Sequence, residues 1–288
     1  MNLTNLSAIR EIADKFGFTF SKSLGQNFLI NPSVCPRIAE MGGADENTGV
    51  IEIGAGFGVL TQELAKRAKK VVAVELDSRL IPVLQYTLAD YDNVKVINED
   101  VLKVDLPKLI AEEFPGMDVV VCANLPYYIT SPILTALLEA ECFRSVTVMV
   151  QKEVAQRIAA QPGSPDYSAF SIFCQYYAKP EILFDVPAGC FLPQPKVTSA
   201  VITLKVREEK PWDIPEPEIF FRAVRASFAM RRKKLQNGLA SGFPQLGKAG
   251  AAEVIAAAGL PENVRGETLG IPEFARLSKE ISGRLHHD

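Results

Sequence analysis

The apolar positions of this chain follow two rhythms, and their alternation predicts its order of elements. Five short apolar runs (Val50 to Ile53, Val71 to Val74, Val94 to Ile97, Val119 to Cys122 and Ser145 to Val150) have the length and β-branched content of strands buried in a parallel sheet. Between them the spacing becomes helical. Asn31-Pro32 opens a helix that runs to about Met41, where Gly42-Gly43 ends it. Val59 to Ala68 and Ser78 to Asp90 follow, then a helix capped by Thr130 or Ser131 with Pro132 at its first position. Ahead of all these, Leu6, Ile9, Ile12, Ala13 and Phe16 mark a short amphipathic helix capped by Asn5 or Ser7. Strand and helix in repeated alternation predict an α/β fold.

From Gln151 the pattern changes. A helix from Gln151 to Ile158, a Pro/Gly/Ser-rich loop from Gln161 to Asp166 and an apolar stretch from Ala169 to Tyr177 precede strands at Glu181 to Val186 and Ala200 to Val206. Pro211, Pro215 and Pro217 mark a linker to a helical region, whose first helix places Phe221, Val224, Phe228 and Leu235 on an apolar face. Further helices are expected near Ala251 to Ala258 and Pro272 to Ser282. The expected division is residues 1–208, including an N-terminal segment 1–48, and a helical domain of residues 209–288.

Chemistry gathers where the predicted strands end. The first runs into Gly54-Ala55-Gly56-Phe57-Gly58 and then a helix, a unit in which missing side chains let backbone amides approach a ligand. The second ends in Glu75, at the distance past the glycines where an acid pairs with ribose hydroxyls. A dinucleotide fingerprint would need glycine at position 59, and the chain has Val59. Asp100 ends the third strand. It either accepts a hydrogen bond from a cofactor's adenine, with Val101 beside it, or caps the next turn.

The fourth strand must stop before Pro126, which leaves Asn124-Leu125-Pro126-Tyr127 at a carboxyl end. This is either a plain strand-ending turn or a site for a flat, amino-bearing ring. In the second reading the Asn124 side-chain carbonyl and the Leu125 main-chain carbonyl accept the two N–H bonds of an adenine amine, and Tyr127 stacks on the ring. Two further segments are read first as structural: Ser21 to Leu29 as a loop packing Leu24, Phe28 and Leu29 on the core, and Phe191 to Ser199 as a proline-stiffened connection with Phe191 buried.

Composition narrows the function. With 48% hydrophobic residues in 288, the chain can bury a substantial core, and no apolar run approaches a membrane span. The start lacks a signal peptide's basic flank and apolar stretch, so a soluble, cytoplasmic protein is expected. Five cysteines without a Cys-x-x-Cys, and histidines only at 286 and 287, argue against a disulfide framework, a metal site or histidine acid/base chemistry. The net charge of −3 is uneven. Arg222, Arg225, Arg231, Arg232, Lys233, Lys234 and Lys248 fall in a stretch without an acid, a pattern suited to phosphate contact.

In combination these motifs resemble the ribosomal RNA adenine dimethyltransferases of the KsgA/RsmA type: Leu24 to Leu29, Glu52-x-Gly54-x-Gly56, Glu75, Glu99-Asp100-Val101, Asn124-Leu125-Pro126-Tyr127, Gln151-Lys152-Glu153-Val154, Phe191-x-Pro193-x-Pro195-x-Val197-x-Ser199 and Arg231 to Lys234. The resemblance spans nearly the whole chain. It implies a Rossmann-like methyltransferase core with a small all-helical C-terminal domain that binds RNA through Arg222, Arg225 and the basic run. It implies S-adenosylmethionine held by Gln26, Asn27, Leu29, Gly54, Gly56, Glu75, Asp100, Val101 and Asn124. Asn124, Leu125, Tyr127 and Phe191 become the catalytic set, which moves Gln26 to Leu29 and Phe191 from the core to the site. The implied substrate is two adjacent adenosines in the 3′-terminal hairpin of 16S rRNA in an immature 30S subunit, each taking two methyl groups at N6 from a monomeric, metal-free enzyme. The rivals are an assembly factor working mainly by binding, a nicotinamide dehydrogenase and a DNA adenine methyltransferase.

Overall fold

A computed structural model describes residues 3–19 and 26–286; Ser21 to Gly25 of the polar N-terminal segment, with Leu24, and His287 lie outside the described residues. In chain order the elements are α1 (Leu6–Lys15), β1 (Phe28–Leu29), α2 (Val34–Met41), β2 (Gly49–Ile53), α3 (Val59–Ala65), β3 (Lys70–Glu75), α4 (Ile81–Thr87), β4 (Val94–Asn98), α5 (Leu106–Glu113), β5 (Val119–Asn124) and α6 (Thr130–Glu139). They continue with β6 (Ser145–Gln151), α7 (Lys152–Ala159), α8 (Ala169–Tyr177), β7 (Ala178–Val186), β8 (Phe191–Leu192), β9 (Ser199–Val206), α9 (Pro217–Ala229), α10 (Leu235–Gly242), α11 (Gly247–Ala257) and α12 (Ile271–Leu285).

Among the described residues, seven strands form one sheet in the order β4-β3-β2-β5-β6-β9-β7. The first five are parallel, while β9 and β7 add antiparallel at one edge. Strands β2, β3 and β5 are buried almost end to end, as continuous apolar runs require when a sheet is covered on both faces. Since β3 and β4 lie to one side of β2 and β5 and β6 to the other, the connections reverse direction between β2 and β5. A crevice opens at such a switch point, above the carboxyl ends of the strands.

The chain divides into two compact units. One takes the chain through Ala155 together with Ala178–Val206, and the other takes Gln156–Tyr177 and the chain from Arg207 onward. This differs from the expected boundary at 208/209, because the apolar stretch 169–177 is the helix α8, whose Ile172 and Tyr176 are buried in the core of the second unit. Tyr167, Ile172 and Tyr176 share a core there with Phe220, Leu239, Phe243 and Phe274, and the Tyr167 hydroxyl donates to the Leu269 carbonyl at 3.0 Å.

Other boundaries shift for local reasons. Asn5 is the α1 cap and accepts from the Ser7 amide at 2.9 Å. A short turn at Tyr127–Ile129 feeds directly into α6, so Thr130 is helical, its hydroxyl donating to the Pro126 carbonyl at 3.2 Å, and Pro132 falls third rather than first. Pro217, assigned from sequence to the linker, opens α9, where its missing N–H costs nothing.

Candidate active site

One cavity in the first unit is lined by the carboxyl ends of four parallel strands, and it gathers most of the residues singled out from sequence. β2 contributes Gly54 and Gly56, β3 contributes Glu75, β4 contributes Asp100 and Val101, and β5 contributes Asn124, Leu125 and Tyr127. Gln26, Asn27 and Leu29 line it from the N-terminal side.

The glycine turn is dictated by space. Gly56 has a φ of +60°, and a Cβ there would stand 2.9 Å from the Phe28 ring. Gly54, at φ +74°, has only the Asn124 carbonyl oxygen within reach, at 3.9 Å, so its backbone borders open space. With no side chain at either position, peptide groups face the cavity. The turn is braced by the acid from the next strand: Glu75 accepts from the Gly56 amide and from the Asp77 amide, both at 2.9 Å. Burial pushes its carboxyl above the usual range, although these two amides favour the charged form.

Asn124 is held by a partner far away in sequence. Its Nδ2 donates to the Asn27 carbonyl at 3.0 Å, across 97 positions. A backbone carbonyl can only accept, so this bond sets the amide nitrogen toward Asn27 and leaves Oδ1 without a partner among the described residues. The strand ladder continues one residue further, with the Leu125 amide donating to the Met149 carbonyl at 3.2 Å, and stops at Pro126, which has no N–H to offer. Tyr127 is half-buried, and its phenolic oxygen lies 2.6 Å from Ser199 Oγ at the start of β9.

For Asp100 the two readings prove compatible. One oxygen caps the turn Val101–Lys103, accepting from the Leu102 amide at 3.1 Å, while the residue also lines the cavity. Gln26 reaches across to Asp77 at 2.9 Å, and Asp77 is itself paired with Arg79 at 2.6 Å. Phe191 is the exception. It is 2% exposed, pairs with Leu29 between β1 and β8, belongs to the apolar core of the unit and does not line the cavity. The core position first read from its sequence context is the one it occupies.

The basic residues of the second unit also separate by partner. Arg222 donates to the Gly242 carbonyl at 2.8 Å and covers the Phe243 ring at 4.4 Å. Arg231 pairs with Glu267 at 2.5 Å and donates to the Ser164 and Pro165 carbonyls, and Lys234 approaches Glu262 at 3.7 Å. Arg225, Arg232 and Lys233 are exposed and make no ion pair among the described residues.

Sequence reasoning passed over Asp77, and it set Tyr128 at the mouth of the site and Ser199 in a motif without giving either a role. The Asp-Ser pair after a strand end is a cap signal for the first, and Ser199 closes a motif already singled out. Glu52 also lines the cavity, 1% exposed, with no hydrogen-bond partner for its Oε2 among the described residues. Burial, reinforced by the Glu75 charge, pushes it up to about 8. Around it, burial raises the Cys35 thiol and pushes Cys122, its register neighbour on β5, up to about 12, so both stay protonated. No group of three or more His, Cys, Asp or Glu residues is placed to hold a metal ion, and no helix is long and apolar enough to cross a membrane, among the described residues.

Residues 17–281 match the model of a family described as ribosomal RNA adenine dimethylase. A protein named ribosomal RNA small subunit methyltransferase A in Alkaliphilus metalliredigens is 50% identical over 279 residues, covering 96% of this chain and 97% of its own. Its namesake in Geobacillus thermodenitrificans is 50% identical over 277 residues and 94% of each chain. Among solved structures, a dimethyladenosine transferase from Plasmodium falciparum superposes with a TM-score of 0.77 at 26% identity, over 89% of this chain and 98% of that one. The 23S rRNA methyltransferase ErmE superposes at 0.69 and 27% identity, over 89% of this chain and all of that one.

The buried Glu52 makes stability depend on pH. Between its unfolded value, near 4.5, and about 8, the folded chain holds a proton that the unfolded chain has released, so this group makes stability fall as pH rises. Glu52→Gln removes that dependence. Urea unfolding at pH 5.5 and 7.5 should show the variant gaining on the parent by up to ~1.4 kcal/mol per pH unit; a difference that does not change with pH contradicts a neutral buried acid.

Proposed function

Because the chain belongs to the ribosomal RNA adenine dimethylase family, we propose that the cavity is where an adenine of ribosomal RNA meets its methyl donor, with Asn124 steering the amine. The chain is an S-adenosylmethionine-dependent rRNA adenine dimethyltransferase. When bound, S-adenosylmethionine supplies a methyl carbon on a sulfonium, a leaving group that departs neutral.

The cavity fits such a donor. Gly54 borders open space with no side chain of its own, and Glu75 faces the cavity with a carboxylate whose remaining lone pairs suit ribose hydroxyls. Glu52 Oε2, a buried oxygen without a hydrogen-bond partner among the described residues, adds a neutral polar group to this lining. Asp100 and Val101 offer an acceptor and apolar surface to the donor's adenine, and Gln26, Asn27 and Leu29 close the N-terminal side.

Asn124 Oδ1, left unengaged by the bond to Asn27, and the Leu125 carbonyl then accept the N–H bonds of the target amine. Two acceptors set to one side of the nitrogen favour a pyramidal geometry, directing its lone pair toward the donor carbon for in-line transfer. A sulfonium donor held there would give its methyl carbon to the amine nitrogen and keep the bonding electron pair on sulfur. The attacking amine is neutral, and its proton leaves afterward to water, so no strong base is required of the protein. Tyr127, its hydroxyl tied to Ser199, offers its ring to the flipped base. A stacking role for Phe191 requires β1 and β8 to part, since its ring is buried.

The observation that carries this reading is the Asn124–Asn27 bond, which presents an acceptor at the end of β5 beside the glycine turn. For the finer substrate, the names of the relatives point to the small subunit, and we read the target as two adjacent adenosines in the 3′-terminal hairpin of 16S rRNA, within immature 30S subunits in the cytoplasm. Residues 209–288 supply RNA contacts. Arg225, Arg232 and Lys233 are the cations for phosphate, since Arg222, Arg231 and Lys234 are engaged within the fold.

Asn124→Ala should lower transfer of tritiated methyl groups to unmethylated small subunits by at least about 100-fold, in line with the loss of one preorganised transition-state contact, while cofactor affinity changes little. Near-normal turnover refutes the role, and dimethyladenosine must be the product with wild-type protein. Binding of small subunits by the same variant separates catalysis from assembly. Replacing Arg232 and Lys233 together by Ala should reduce the slope of log affinity for RNA against log salt by about 1 to 2; an unchanged slope removes these residues from the interface.

A further inference from the structure

Two consecutive tyrosines stand at the cavity with opposite circumstances. Tyr127 is half-buried and tied through its hydroxyl to Ser199. Tyr128 is 59% exposed, and among the described residues it has neither a ring contact nor a hydrogen bond. Yet it lines the same cavity. The turn that carries both is well fixed: the Ile129 amide and the Thr130 hydroxyl both meet the Pro126 carbonyl at 3.2 Å, and α6 begins at once. The second ring is therefore presented on a rigid support at the rim, exposed to solvent, where it contributes little to the fold. A large aromatic side chain held out in this way beside a cavity is suited to a contact outside the chain.

The reaction supplies a candidate for that contact. For one adenine to enter the cavity it must leave its stack, and the bases on either side then lose a partner. We propose that Tyr128 is the stacking platform for the base next to the adenosine being methylated, a subsite beside the one that Tyr127 serves. The proposal rests on the reading of the cavity as an RNA adenine site. Stacking needs only a flat π face on each partner, so the subsite accepts any base and does not depend on the phenolic hydroxyl. Its effect falls on holding the RNA in register rather than on the donor, because among the described residues Tyr128 makes no hydrogen bond to the residues assigned to the donor.

The test uses the full-length protein with unmethylated small-subunit RNA, and with the same RNA carrying an abasic residue on the 5′ or the 3′ side of the remaining target adenosine. Stacking of one base on an aromatic side chain, worth ~1–3 kcal/mol, corresponds to about 5- to 150-fold. Tyr128→Ala should raise KM for intact RNA within that range and leave the Kd for S-adenosylmethionine unchanged, and Tyr128→Phe should behave as wild type. One of the two abasic RNAs should cost the wild-type protein the same factor, and Tyr128→Ala should lose nothing more on it. The proposal is overturned if Tyr128→Ala stays within twofold of wild type on intact RNA, if Phe fails to rescue, or if the losses from the variant and both abasic RNAs simply multiply. Failure of the wild-type protein to methylate any adenosine of intact RNA would instead overturn the reading of the cavity itself, and the two failures are told apart by that control.

Discussion

A single hydrogen bond, from the Asn124 amide to the Asn27 carbonyl, decides what the end of β5 presents to the cavity. The strand is forced to end there because Pro126 cannot continue the ladder that the Leu125 amide closes on β6. At that point the side chain has two faces, a donor and an acceptor, and the carbonyl opposite can take only the donor. The acceptor is thereby oriented before any ligand arrives. A preoriented dipole needs little rearrangement when charge develops nearby, which is where catalysis of this kind finds its leverage.

The remainder of the first unit serves the same place. Reversal of the strand connections between β2 and β5 brings four carboxyl ends around one crevice, and each end delivers a different chemical type. A glycine turn comes from β2, a braced acid from β3, a capped acid from β4 and the carboxamide from β5. Glu75, and Glu52 on β2 beside the glycine turn, are buried enough that their carboxyls are raised. Tyr127 is positioned from the antiparallel edge of the sheet, through Ser199 at the start of β9. The proline-rich motif that ends at Ser199 is thus connected to the Asn-Leu-Pro-Tyr motif by a hydroxyl pair rather than through Phe191.

Much of this was legible in the chain because it depends on local rules. Unbroken β-branched runs can only be strands covered on both faces, glycines at 54 and 56 mark backbone with positive φ, and Pro126 sets a limit to β5 whatever surrounds it. What escaped was decided by contacts between distant residues. The stretch 169–177 is apolar on nearly every residue, which suits a buried helix and a strand equally; its partners, Phe220 and Phe274 among them, lie dozens of positions downstream. Phe191 reads as core from its own context and as site from the family resemblance, and only the pairing of β8 with β1 chooses between them. Seven cations without an acid look uniform in sequence, yet Glu267 and Glu262, outside that run, claim two of them.

The most direct measurement is a crystal structure with S-adenosylhomocysteine and an RNA hairpin bearing the target adenosine. An amine steered by Asn124 will lie about 2.7–3.2 Å from Oδ1 and from the Leu125 carbonyl, with the bond to Asn27 intact and the sulfur on the open side of the nitrogen. An adenine seated elsewhere, or an Asn124 side chain turned so that Oδ1 faces the protein interior, would contradict it.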